Sequence, residues 1–120
     1  MNWLQDVLDI RPVFSCDEIY WSKGLNKILA EENVAKGQDW ALLVLDSLTD
    51  HFSCSWGDVS SEQSVSNDNV MRSYLSGRKG VGHLRSSYSS QSRTVIVYTD
   101  KDFHATVVML PEEFDKYASS

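Results

Sequence analysis

The chain has 120 residues, a formal net charge of −6 and 42% apolar residues, enough for one hydrophobic core without disulfide or metal support. The acidic balance excludes a general DNA- or RNA-coating role, since phosphate binding runs on Lys and Arg. Four Trp, five Tyr and four Phe exclude a disordered chain, and no apolar run is long enough to span a membrane.

Met1 to Asp6 lacks the basic region and continuous apolar stretch of a signal peptide, so no secretory leader is expected there. Trp3, Leu4, Val7, Leu8 and Ile10 fall on one helical stripe, which Arg11-Pro12 ends. Ser15 followed by Glu18 reads as a capping box. It is expected to open a helix that gathers Ile19, Trp21, Leu25, Ile28 and Leu29 on one face, with Gly24 as a point of close approach.

The unbroken apolar run from Trp40 to Leu45 predicts a central strand. After a turn at Thr49-Asp50-His51, Phe52, Cys54 and Trp56 alternate with Ser53, Ser55 and Gly57, as in a strand with one wet face. Ser60 to Asn69 is polar enough to predict a long loop. Ser66 or Asn67 then caps a short helix through Val70, Met71, Tyr74 and Leu75, stopped by Gly77.

Clustered Gly and Ser from Arg78 to Ser92 predict a further loop. Two β-branched runs, Thr94 to Thr99 and Phe103 to Leu110, flank Asp100-Lys101-Asp102 and predict an antiparallel hairpin. A three-residue turn would set His104 beside Tyr98, and a two-residue turn would set it opposite Val97. Pro111 ends the second run and opens a short terminal helix with Glu112, Glu113, Phe114 and Tyr117. The expected whole is a single α+β domain over residues 1–120. It has an antiparallel sheet of about four strands in two hairpins, with helices packed mainly on one face.

One window departs from the acidic average: Arg72 to Thr99 holds no Asp or Glu. Within it, Gly77, Gly80 and Gly82 free the backbone to curl, and Arg78, Lys79 and Arg85 supply charge for an anion-binding loop. The Gly-Lys-Ser/Thr of nucleotide-hydrolase phosphate loops is missing. A metal-independent ribonuclease or phosphate-handling enzyme would need a base, an acid and a cation. His83, His104 and Arg85 supply those types, with Thr106 as an extra donor.

His51, Cys54 and Cys16 include metal-ligating types, yet no second close pair accompanies His51-x-x-Cys54, so no metal and no cofactor are expected. The two cysteines read as small buried hydrophobes in a reducing cytoplasm.

The N-terminal half interleaves acids with aromatics, a composition suited to capturing a basic protein surface. Asp17, Glu18, Trp21, Asp46, Asp50, Trp56 and Asp58 are the expected partner contacts. Size and charge therefore favour a small cytoplasmic protein-binding module. The expected type is an inhibitor, of the immunity or antitoxin kind, that neutralises a basic protein such as a nuclease toxin. The enzyme built on His83, Arg85 and His104 is the alternative. Neither membrane association nor direct nucleic-acid binding is expected.

Overall fold

The C-terminal half carries three of the four strands of the sheet. A computed structural model describes residues 16–78, 80 and 82–118. The expected helix over Asn2 to Ile10 and the cap at Ser15 lie outside the described residues. Four strands, β1 (Glu18–Trp21), β2 (Leu84–Ser90), β3 (Arg93–Thr99) and β4 (Ala105–Met109), form one sheet in the order β1-β4-β3-β2. Four helices accompany them: α1 (Lys23–Val34), α2 (Asp39–Phe52), α3 (Ser61–Leu75) and α4 (Pro111–Ala118). The domain is α+β with a four-stranded sheet, as its composition and hairpin pattern predict. The sheet is mixed, because β1 pairs parallel to β4 while the other pairs are antiparallel.

The hairpin of β3 and β4 forms where the β-branched runs place it, and Pro111 opens α4. The register pairs Thr99 with Thr106, so His104 precedes the paired strand and faces neither Tyr98 nor Val97. A longer loop intervenes because Asp100 Oδ1 accepts from the His104 N–H at 2.8 Å and Phe103 takes a positive φ of 57°.

Five segments differ from their expected form. Glu18 to Trp21 is a strand instead of a helix start; the cap is Ser22, whose Oγ accepts from the Leu25 N–H at 3.2 Å. The carboxylate completing that N-terminus comes from the far end of the chain. Glu113 accepts from the Ser22 hydroxyl, from Gly24 N–H at 3.0 Å and from Leu110 N–H at 3.1 Å. A Cβ on Gly24 would meet that carboxyl group at 3.0 Å, which is the close approach its glycine permits.

Trp40 to Leu45 belongs to α2. The buried positions Leu43, Val44, Ser47, Leu48, His51 and Phe52 follow helical spacing, while Leu42 is 50% exposed. An apolar residue on the wet side made the run look continuous. The expected strand from Phe52 to Gly57 is the end of α2 and a loop. Cys54, at φ 63°, lies just beyond the helix, and a single parallel bridge joins Gly57 to Ser87. Phe52 and Trp56 are both buried, so their alternation reflects contact with the core without a ladder.

Ser60 to Asn69 is mostly α3, with Ser60 accepting from the Gln63 N–H at 3.1 Å. Its buried stripe is narrow, Asn67, Val70 and Met71, so the helix reads as polar. It ends in paired bonds, Gly77 N–H to Tyr74 C=O and Arg78 N–H to Ser73 C=O, with Gly77 at φ 88°. The expected loop over Arg78 to Ser92 contains β2. Its turn to β3 places Gln91 and Ser92 at φ 51° and 69°, a conformation usually signalled by Asn-Gly.

One core lies between the inner sheet face and helices α1 to α3, joining Leu25, Val44, Leu48 and Phe52 to Leu84, Val95, Val97 and Val108. Helix α4 covers part of the other face, where Phe114 lies against Tyr98. No described helix is long and apolar enough to cross a membrane. His51 is fully buried within the core, with Nδ1 bonded to Ser86 Oγ and Nε2 to Thr99 Oγ1 at 2.8 Å. Thr99 Oγ1 continues to Thr106 Oγ1 at 2.7 Å. At the β2 edge, Asn67 donates to the Arg85 C=O at 2.8 Å and accepts from its N–H at 3.2 Å, filling a backbone edge that would otherwise stand open.

Burial holds the His51 pKa down to about 3 from the ordinary 6.5. The unfolded chain therefore binds a proton that the folded chain refuses, and the stability present above pH 6.5 is lost as pH falls toward the folded value. Between pH 7 and pH 5 the loss from this group should be roughly 2 kcal/mol. Urea midpoints at the two pH values check it, and His51→Gln should shrink the difference. Asn67→Ala should cost about 2 kcal/mol and speed hydrogen exchange at the Arg85 amide, because two backbone groups lose their partners.

Candidate functional site

The basic window does not stay together. Arg72 bonds Asn69 along α3, and Arg93 pairs with Asp39 at 3.2 Å with its guanidinium 6.0 Å from the Trp40 ring. Arg85 projects from the outer face of β2, 5.0 Å over Phe114. His83 stacks on Tyr98 on that same face, with ring centroids 5.4 Å apart. Arg78 follows the α3 end and shares a cavity of about 350 Å³ with Tyr74, Lys101, Asp102, Phe103 and His104. Lys79 lies outside the described residues. The proposed anion loop is thus divided: Arg78 faces the helical side of the sheet and Arg85 faces the other.

The histidine set divides in the same way. His104 Nδ1 meets Asp17 Oδ2 at 2.8 Å, and that hydrogen bond raises its pKa above the ordinary value, against a small opposing effect of burial. His83 is held by Tyr98, and Thr106 is buried against Thr99. His83 and Arg85 thus lie against Tyr98 and Phe114, while His104 pairs with Asp17.

Cys54 and Cys16 do not join His51 as ligands. Both nitrogens of His51 are occupied by hydroxyl groups, Cys16 Sγ donates to the Glu18 C=O at 3.1 Å, and burial raises both thiol pKa values. Among the described residues, no three His, Cys, Asp or Glu side chains assemble as a metal site.

The acid and aromatic candidates fall into two groups at opposite edges of the sheet. Asp17, Glu18 and Trp21 belong to the β1 edge, with Trp21 36% exposed and Glu18 bonded to the Tyr20 hydroxyl. Asp46, Asp50, Trp56 and Asp58 lie toward the β2 edge. Asp46 and Asp50 are one turn apart on the exposed side of α2, and Asp58 N–H donates to the Ser87 C=O at 2.7 Å. Burial, and next the charge of Asp46, raise the Asp50 pKa. The Tyr88 hydroxyl donates to the Ser55 C=O at 2.6 Å, and the Tyr88 pKa is raised by burial first and by the Asp50 charge among its lesser causes.

Beside this second group opens a cleft of about 710 Å³, walled by residues 54–57, Val59, Ser61, Ser64, Val65 and Asp68. Trp56 is 6% exposed and forms its floor side, donating Nε1–H to Asp68 Oδ1 at 2.9 Å, whereas Val65 is 58% exposed. No Lys or Arg is among the described lining residues. Trp56 therefore holds the wall in place instead of reaching out as an anchor. Val59, Val65 and Asp68 are lining residues that composition alone missed. Ser61, Ser64, Val65 and Asp68 sit at helical spacing, a signal hidden once the segment is read as a loop.

No protein-family model, no curated protein and no solved structure matches this chain. Its function therefore rests on geometry and charge.

The Asp17–His104 contact gives a direct check on the site electrostatics. Asp17→Asn should lower the His104 pKa toward 6.5, read from the ring proton shifts in an NMR titration.

Proposed function

We propose that the protein is a binding module that inhibits a basic protein partner, in the manner of immunity proteins and antitoxins, within the cytoplasm. The observation that carries this reading is the cleft between the α2–α3 connection and α3. Its wall includes Asp68 and the exposed Val65, Asp58 lies between its lining residues Gly57 and Val59, the Asp50 C=O accepts from its lining residue Ser55, and no described lining residue is Lys or Arg. Among the described residues, ion pairs join Arg93 to Asp39 and His104 to Asp17; none neutralises Asp46, Asp50 or Asp58. A largely polar cleft with one exposed apolar residue, Val65, and carboxylates that no described cation pairs suits a Lys- or Arg-bearing surface, whose approach the net charge of −6 accelerates. The free thiols Cys16 and Cys54 fit a reducing compartment. His83 stacks on Tyr98 whereas His104 pairs with Asp17, so the two histidines of the nuclease alternative have different partners.

The test pairs the purified chain with the product of the neighbouring gene in a stopped-flow association assay. The on-rate should fall at least about tenfold between roughly 50 and 500 mM salt. Asp50→Lys combined with Asp58→Lys should slow association by a similar factor, and Asp17→Lys at the opposite edge should not. An on-rate indifferent to salt would count against the acidic cleft. RNA cleavage by the chain alone, abolished by His83→Ala or His104→Ala, would overturn the inhibitor reading.

A further inference from the structure

The cleft leaves unexplained a second cavity of opposite character, where α3 ends beside the β3–β4 loop. We propose that this cavity, lined by Tyr74, Arg78, Lys101, Asp102, Phe103 and His104, binds a free nucleoside monophosphate.

Two cationic side chains and an imidazole reach this cavity from two separate parts of the chain, although the protein as a whole carries −6. Arg78 is delivered by the bond pair that closes α3 at Gly77, and Lys101 and His104 by the loop that opens β4. Asp17 Oδ2 lies 2.8 Å from His104 Nδ1 and favours the protonated ring. Arg78, Lys101 and His104 together offer the donors that a phosphate monoester accepts.

The wall beside them is aromatic. Tyr74 and Phe103 stack with centroids 4.4 Å apart and an interplanar angle of 27°. Phe103 achieves this from a φ of 57°, a left-handed conformation that bulky residues avoid, and its ring is buried. Such local strain persists where surrounding structure fixes it, and functional sites are where it collects. A flat base lying against this wall gains stacking that does not depend on base identity. The cavity volume of about 350 Å³ falls at the small-molecule end of ligand sites.

Asp102 determines which anion fits. A bare oxyanion would meet its carboxylate with nothing to offer, whereas a ribose hydroxyl or an exocyclic amino group donates to it. Asp17 and Asp100 flank the same loop, with Asp17 on His104 Nδ1 and Asp100 on the His104 N–H. These acids repel the extended phosphate backbone of a nucleic acid while leaving room for one phosphate, so a mononucleotide is favoured over RNA.

The proposal is independent of the inhibitor reading, because the cleft and this cavity share no lining residue. The experiment is calorimetric titration of the full chain with adenosine 5′-monophosphate, adenosine, inorganic phosphate and a hexa-adenylate RNA, followed by NMR of the aromatic rings. The monophosphate should bind at least roughly tenfold tighter than adenosine or phosphate and shift the Tyr74 and Phe103 ring signals. Arg78→Gln and Lys101→Gln, both at exposed positions, should each weaken it roughly tenfold without altering the thermal unfolding midpoint. The proposal fails if the monophosphate binds no tighter than phosphate, if both glutamine variants bind it as the native chain does, or if the hexa-adenylate binds tighter than the monophosphate.

Discussion

The packing of α2 on the sheet depends on one neutral imidazole. His51 arrives at the end of α2, and its two nitrogens span Ser86 on β2 and Thr99 on β3, with Thr99 passing the chain of hydroxyls to Thr106 on β4. A neutral ring offers one donor and one acceptor, so both hydroxyls must orient to suit it. In a site of low polarity such a chain is fully satisfied or costly, which makes it a strong constraint on register. Sliding β2 by one residue against β3 would replace Ser86 with an outward-facing neighbour and strand the ring. The surrounding apolar residues supply the burial; the histidine fixes which helix face and which strand positions meet.

The same economy appears where the two ends of the described chain meet. Glu113 on α4 completes the N-terminus of α1 through Ser22 and Gly24 and also holds Leu110. Burial is the largest single effect and acts upward, but the hydrogen bonds from Ser22, Leu110 and Gly24 together lower its pKa. One carboxylate thereby couples β1, α1, the end of β4 and α4. Asn67 performs the corresponding task at the other sheet edge, where it takes the place of a neighbouring strand beside Arg85. Residues 56–58 continue that cover along Ser87.

Helix α3 separates two surfaces of opposite charge. Its N-terminal half, through Ser61, Ser64, Val65 and Asp68, forms a wall of the acidic cleft, and its C-terminal end brings Tyr74 and Arg78 to the cationic cavity. At 1.5 Å per residue the two lie roughly 15 Å apart along the helix. Over that distance in salt the exposed charges of one are largely screened from the other. A basic surface and a small anion are therefore able to occupy the same molecule without competing for the same groups.

The sequence by itself determined the elements whose signals are local. The β-branched runs placed the β3–β4 hairpin, Pro111 opened α4, Gly77 stopped α3, and the charge balance marked both an acidic body and a basic window. Only the tertiary structure decided which face of each element was inside. The Trp40 to Leu45 run reads as a strand until Leu42 is found in water, and the polar stretch after Ser60 reads as a loop until Asn67 is found against β2. Ser22 caps α1 with a carboxylate 91 residues away, and the Gln91-Ser92 turn lacks the usual Asn-Gly signal. The candidate sites were legible as residue types but not as groupings. Arg78 went to the cavity at the end of α3 and Arg85 to the outer face of β2, and Asp17 parted from Asp58 because the first and last strands of the sheet order lie at opposite edges. Composition specifies how much charge and apolar surface a chain carries; long-range pairing decides which of those groups share a cavity.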